Sequence, residues 1–529
     1  MNRNSSWSIV ALKTLVNYRL RTKKNILIMK KYLLLLAVLA FGVFSCTNLE
    51  EEIREDITGD VASELVEVSS LLTGAYEGLR LPYMDQSRYW AAQEHTGDAA
   101  MGPTRGPDWD DNGIWRSLHN HTWSPTHDFL SSTFSELLQV VFNTTNILQF
   151  EPSPEQEAEA RFLRAFVMLS VVDGWGQVPF RDAGSDLLAD AQVLQPAEVV
   201  QFVIDECNAI MGTLPDGPAH IANQDAAKVL MMKAYLNKGA YINRTDPSFD
   251  PADMNQVIAL ADELISSGKY SVADNYFDNF AANNDQISTE NIFTGLNEGG
   301  VSSGNVRSRW MCTLHYNQNP SGWNGFTTLS NFYDSFEDGD TRRNSAYTGM
   351  TDVSGINAGF LVGQQVDQDG TALQDRGGNP LSFTPEVAIQ ESGSNLEVTG
   401  IRVIKYPIDY VSGDNADNDY VFYRYGDVWL MKAEAAMRNG DMGTALDMVN
   451  TLRTARGAST LGAISADEML AERGRELYWE GHRRTDLIRF GKFLEAWQEK
   501  PGSGSERLLF PIPATSLASN PNLVQNPGY

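Results

Sequence analysis

Apolar residues recur three and four apart in run after run of this chain, and the runs lie in adjacent pairs, a pattern that confines the fold to packed helices. The spacing predicts helices over about 129–150, 154–172, 197–214, 222–242 and 253–267, and again over 423–438, 442–456, 465–479 and 486–497. An earlier helix opens at Asp60, with Val61, Leu65, Val68, Leu71, Leu72, Ala75 and Leu79 on one face. Pro215-Asp216-Gly217 and Gly268-Lys269 supply stops. Between 274 and 420 the helical period fades into loops, short helices and minor strands, and from 82 to 125 the chain reads as loop, without clean periodicity.

Two of the pairs look alike. Residues 226–267 and 428–456 each read helix, turn, helix, and both first helices carry Met-Lys-Ala, at 232–234 and 431–433. They resemble degenerate tetratricopeptide units, whose period is about 34 residues. Stacked pairs bury their apolar faces on one another and make a stiff frame. Irregular segments are then displayed on it, where binding residues usually sit. The expected fold class is mainly α: a tetratricopeptide-like helix-pair scaffold with a loop-rich, mixed capping region. The scaffold spans about 59–80, 126–270 and 421–500, and the loop-rich, ligand-binding regions about 81–125 and 271–420. A proline-rich tail closes the chain over 508–529, where four prolines oppose regular helix.

Residues 29–46 read MKKYLLLLAVLAFGVFSC. Lys30 and Lys31 form a basic start, and the apolar run of 32–44 is shorter than the ~20 residues needed to span a bilayer. It has the length of a signal-peptide core. Ser45-Cys46 resembles a bacterial lipobox, making Cys46 the acylated first residue of the mature protein; the alternative is a plain secretory leader with an incidental cysteine. The expected organisation is an over-extended gene start (1–28), a lipoprotein signal peptide (29–45), an acidic tether (46–58) and one domain (59–529). After residue 45 the chain carries 33 basic against 68 acidic side chains, which argues against nucleic acid or an anionic lipid surface as partner. No two of Cys46, Cys207 and Cys312 lie at ligand spacing, so neither a disulfide framework nor a zinc cluster is expected.

The irregular regions are dense in flat side chains: Trp90, Trp109 and Trp115 early, then Trp310, Tyr316 and Trp323. Sugars offer C–H faces to such rings and hydroxyls to planar polar partners, which Asp98, Arg105, Asn112 and Arg309 supply nearby in sequence. These ten residues are the candidate ligand-binding set. The bland alternative is that the rings pack loops that lack helical hydrogen bonding. Other constellations are weaker. His119, His121 and His127 with Asp128 include a His-x-His pair but no further ligands at telling spacing, so they read as surface or hydrogen-bonding histidines. Glu94 with Asp98, and Asp108 with Asp110 and Asp111, are carboxylate pairs whose separation nothing fixes, so no catalytic residue is assigned. The acid-rich loops 108–112 and 414–419 could take calcium but lack EF-hand spacing, so no cofactor is assigned. Between 472 and 489 five arginines alternate with Glu472, Glu476, Glu480 and Asp486, which reads as an ion network pinning the last helices.

Four stretches together resemble the SusD/RagB family of nutrient-uptake outer-membrane lipoproteins. They are MGPTRGPDWDDNGIWRSLHNHTW (101–123), SGWNGFTTLSNFYDSFEDGDTRR (321–343), ERGRELYWEGHRRTDLIRFGKF (472–493) and the ending FPIPATSLASNPNLVQNPGY (510–529). The resemblance implies a helical tetratricopeptide-based fold without catalysis, anchored by lipid in the outer membrane and facing the exterior. It also implies a SusC-like TonB-dependent transporter as partner and an oligosaccharide or polysaccharide, occasionally a peptide, as ligand. Two alternatives stay open at this point: a surface glycoside hydrolase or metallohydrolase, and a tetratricopeptide-type protein-binding adaptor.

Overall fold

Sequence punctuation sets the ends of the helices. Ser153 accepts from the backbone N–H of Gln156, whose own side chain accepts from Ser153 N–H, and Pro154 fills the first helical position. Asn223, Asp250, Asp441 and Ser465 cap later helices in the same way through their side chains. A computed structural model describes residues 67–301 and 305–529. The leader, Cys46, the tether and the start of the helix expected from Asp60 lie outside the described residues.

Ten helices of seven residues or more are described: α1 (Val68–Glu77), α2 (Asp128–Ile147), α3 (Pro154–Trp175), α4 (Pro196–Ile210), α5 (Gln224–Ile242), α6 (Pro251–Ser266), α7 (Tyr425–Arg438), α8 (Met442–Ala455), α9 (Ala466–Leu477) and α10 (Arg483–Arg489). From α2 to α8 each packs on the next. The long insertion leaves after α6 and returns at α7, yet α6 lies directly against α7, so the stack of helix pairs continues across it. Helix α3 is buried on nearly all sides from Ala158 onward, which is why its apolar residues follow no single stripe.

The insertion is rooted by strands β1 (Asn291–Gly295) and β4 (Tyr420–Arg424), which pair antiparallel. Inside it β2 (Ala358–Leu361) pairs antiparallel with β3 (Arg402–Ile404). Phe293 and Phe422 of the root pack edge-on against Phe166 of α3, joining cap and scaffold through one aromatic core. The second joint is ionic and buried. Glu476 of α9 receives Arg342 and Arg424 from the cap side at 2.9 and 2.8 Å and Arg456, just past α8, at 2.8 Å. Glu472 receives Arg342 and Arg453, both at 2.8 Å. Burial alone would raise the Glu476 carboxyl, but the Arg456, Arg424 and Arg342 guanidiniums outweigh it and hold the group well below the usual range. The network expected over 472–489 is therefore present, and it ties the insertion to the last helices.

Two helix expectations need correction. The run 486–497 is helical only as α10, because Phe493 turns inward to stack on His121, 4.4 Å between centroids. The tail holds a six-residue helix, Ala514–Ser519, since Pro513 precedes the helix and its missing N–H breaks no bond there.

Candidate functional site

The segment 315–325 carries two of the predicted rings and is fastened along its length. Asn317 Nδ2 donates to the Gln374 carbonyl at 2.9 Å, Tyr410 Oη to the Asn319 carbonyl at 2.6 Å, and Arg402 Nη2 to Asn324 Oδ1 at 2.8 Å. In Ser321-Gly322-Trp323-Asn324-Gly325 the glycines allow close approaches no other residue would. A Cβ on Gly322 would meet the Leu314 carbonyl oxygen at 2.2 Å, and one on Gly325 would meet the Trp109 ring at 2.3 Å. Trp323, between them, is left standing outward at 38% exposure.

Trp109 reaches the same place from the early loop. Arg105 and Asp108 exchange backbone hydrogen bonds across a tight turn, and Trp109 takes φ of 59° just beyond it. Its Nε1 donates to the Trp323 carbonyl at 2.9 Å, and its ring backs onto Phe326, 5.0 Å between centroids. Tyr316 Oη donates to Asp108 Oδ2 at 3.2 Å. Trp109, Tyr316 and Trp323 thus form one shelf on the cap, half-buried, half-buried and exposed in turn, with Asp108, Asn112 and Asn317 exposed around it. Burial first, then the Asp108 carboxylate, raises the Tyr316 phenol, so it stays a neutral donor.

The other candidates lie elsewhere. Trp90 is 1% exposed, Trp310 2% and Trp115 3%, so the expectation that these three offer a ring face is corrected: they are packing groups. Trp90 donates to the Trp479 carbonyl and Trp115 to Asp111, both at 2.9 Å. Arg309 is buried over the Trp90 ring at 4.4 Å, and Arg105 is buried with its guanidinium on the Leu396 and Thr399 carbonyls at 2.8 Å; neither reaches a ligand. Their work is to hold short helices and a two-residue strand of the cap against one another. Asp98 pairs with Arg483 at 2.5 Å, away from the shelf.

One contributor at the shelf was not expected. The Arg376 guanidinium lies over the Tyr316 ring, 3.9 Å from its centroid, and pairs with Glu397 at 2.6 Å. It sits sixty residues away in a hairpin segment whose sequence carries no signal for it. The histidines part company: His121 meets the Thr96 carbonyl at 2.8 Å and Ser503 at 2.9 Å, and His119 the Gln498 carbonyl at 3.3 Å. They are hydrogen-bonded as expected but buried rather than on the surface. Carboxylates of the acid-rich loops are engaged locally. Asp110 pairs with Arg116, and in the second loop Asp417 accepts from Gly299 N–H at 2.7 Å and Asp419 from Asn297 N–H at 2.8 Å.

A stack of helix pairs that carries a fixed aromatic shelf on an irregular cap defines a class of binding scaffold. Within that class the chain belongs to the SusD family, whose sequence profile matches residues 260–529. Members of the family are carbohydrate-binding proteins, not enzymes. The chain is 25% identical over 472 residues to the starch-binding protein SusD of Bacteroides thetaiotaomicron, covering 80% of this chain and 82% of that one. Among solved structures, a SusD superfamily protein from Parabacteroides distasonis superposes with a TM-score of 0.69 at 19% identity, over 87% of this chain and 98% of its own. Surface glycan-binding protein A of Bacteroides thetaiotaomicron, solved with laminarihexaose, gives a TM-score of 0.63 at 19% identity, over 87% and 98% of the two chains. No helix among the described residues is long and apolar enough to cross a membrane.

Proposed function

We propose that this protein is held on the outer face of the outer membrane by acyl chains on Cys46, captures an oligosaccharide or polysaccharide on the Trp109–Tyr316–Trp323 shelf, and delivers it to a SusC-like TonB-dependent transporter. The observation that carries this reading is the exposed ring of Trp323 beside Trp109, whose own ring is fixed by its Nε1 bond of 2.9 Å to the Trp323 carbonyl. Rings held in place cost little ordering on binding, so weak contacts suffice for capture. Asp108, Asn112 and Asn317 offer acceptors and donors to hydroxyls around the rings. Delivery needs release, and a shelf open to solvent lets the ligand leave without a rearrangement of the protein. The relatives described as binding starch and laminarin support a glycan as the ligand class.

The test is a titration of residues 46–529 against a panel of neutral and acidic oligosaccharides. The proposal expects saturable binding to at least one glycan and a loss of about tenfold or more on Trp323→Ala, the scale of one stacked aromatic anchor. Binding that survives Trp109→Ala and Trp323→Ala unchanged would overturn the assignment of the shelf.

A further inference from the structure

Asp98, which the sequence placed among the shelf residues, belongs to a different concavity. It stands with Arg483 where two pockets meet, one of about 150 Å³ and one of about 280 Å³. Both pockets are lined by Asp98, Arg483, Ala471 and Trp497, so they form one cleft, and no lining residue is shared with the shelf. Phe332 and Leu329 make an apolar wall at one end, where Asn331, Ser335 and Gln498 add neutral polar groups. The other end is closed by Asp467, Lys492 and Glu495.

Charge decides what such a cleft takes. Arg483 is held by both oxygens of Asp98, at 2.5 and 2.8 Å, and donates its remaining Nη1 to the Leu470 carbonyl at 3.1 Å. Lys492 lies between Asp467 at 3.3 Å and Glu495 at 3.4 Å. No cation is left over for an anionic ligand, and the acids outnumber the bases. What remains is suited to hydroxyls. The Asp98 side chain is 26% exposed and keeps lone pairs that Arg483 does not use. The side-chain amide of Asn331 and the Nε2 of Gln498 donate to no other described group. Trp497 and Phe332 line the cleft and give it apolar wall for the C–H groups of a sugar.

We propose that this cleft is a second carbohydrate site, smaller than the shelf, that takes one or two units of a neutral glycan. The proposal rests on the reading of the protein as a glycan binder, but it assigns a place and residues that the shelf does not involve. It gives the protein two contacts for one polymer, and two weak sites on one chain raise apparent affinity for long glycans over short ones.

The experiment uses residues 46–529 and hexasaccharides of α-1,4-glucan, β-1,3-glucan, β-1,4-mannan and β-1,4-xylan, with stoichiometry read by calorimetry and contact by saturation-transfer NMR. For a hexasaccharide that binds, the proposal expects two sites per chain. Trp323→Ala leaves one of them, and Trp497→Ala leaves the other with at least a tenfold loss at the cleft. Because Trp497 also packs on Lys500, Ala471→Phe, which fills the cleft, and Asn331→Ala are run beside it with melting temperature as the fold check. A single site abolished by Trp323→Ala and untouched by the three cleft variants overturns the second site and leaves the proposed function standing. No binding to any glycan overturns both.

Discussion

Replacing Gly325, itself buried, with alanine should weaken glycan binding from beneath the shelf by displacing Trp109. The added methyl would sit 2.3 Å from Cε2 and Cζ2 of Trp109 and 2.8 Å from Cδ2. Ordinary contact begins near 3.4 Å, so the indole must retreat by about 1 Å, against a wall already packed. Behind it lie Phe326 and Trp115, with centroids 5.0 and 5.8 Å away. Overpacking of this kind costs about 1–3 kcal/mol. The retreat also breaks the Nε1 bond to the Trp323 carbonyl, worth about 0.5–1.5 kcal/mol net. The chain therefore loses a few kcal/mol of stability and stays folded, while Trp109 leaves its place in the shelf. Loss of one stacking contact of about 1.4 kcal/mol is tenfold in affinity. Calorimetric titration of the variant with the best-binding oligosaccharide, beside its thermal unfolding curve, reads both effects. A folded Gly325→Ala protein with wild-type affinity would refute the claim that Trp109 is held in position for binding.

Further predictions concern the frame. Glu476→Gln leaves Arg342, Arg424 and Arg456 short of a shared counter-charge in a fully buried place, and should cost about 3–5 kcal/mol in urea unfolding with glycan affinity of the folded protein unchanged. Glu94 is buried, and burial raises its carboxyl to about 7 against the backbone N–H groups of Gly481 and His482 that lower it. A carboxyl whose folded pKa lies above its unfolded value of 4.5 binds more protons folded than unfolded, so its contribution to stability falls as pH rises from 4.5 to 7. Across that window Glu94→Gln should gain about 3 kcal/mol relative to wild type, read from urea midpoints at pH 4.5 and 7.5. A gap that does not change with pH would contradict the assignment. Glu472 behaves oppositely. Burial opposes its ionisation, but Arg342, Arg475 and Arg453 hold it down at about 2, so its stabilising share is present above 4.5 and lost as pH falls toward 2; the acid unfolding midpoint of Glu472→Gln should shift accordingly.

The scaffold could be read from the chain because a helix reports itself locally. Spacing, Pro154 after Ser153 and Asp250 before Pro251 each act within four residues. The cap could not be read so fully. In the sequence Trp90, Trp115 and Trp310 fall in the same non-periodic stretches as Trp109 and Trp323, but in the structure they ride on short helices, Tyr89–Glu94, Ile114–His119 and Ser308–Met311, too short to announce themselves by period. Nothing local distinguishes a ring that packs inward from one that faces water. The distinction comes from partners far away: Trp90 is capped by the carbonyl of Trp479, 389 residues on, and Asp98 by Arg483, 385 residues on. Trp323 was no more legible: Gly322 and Gly325 let the backbone close on Leu314 and Trp109 and leave the indole outside, but those partners are known only from the fold. Arg376 was not legible at all, because an arginine in a polar hairpin has no periodicity to betray a ring beneath it.

The central claim is that a glycan lies across Trp109 and Trp323 with Tyr316 beside it. A crystal structure of residues 46–529 with the tightest-binding oligosaccharide tests it most directly. The account predicts sugar C–H faces against the Trp323 indole and hydroxyls on Asp108 or Asn317, with Trp109 unmoved. A ligand seated instead along the helix faces of the stack, with the three rings bare, would contradict it.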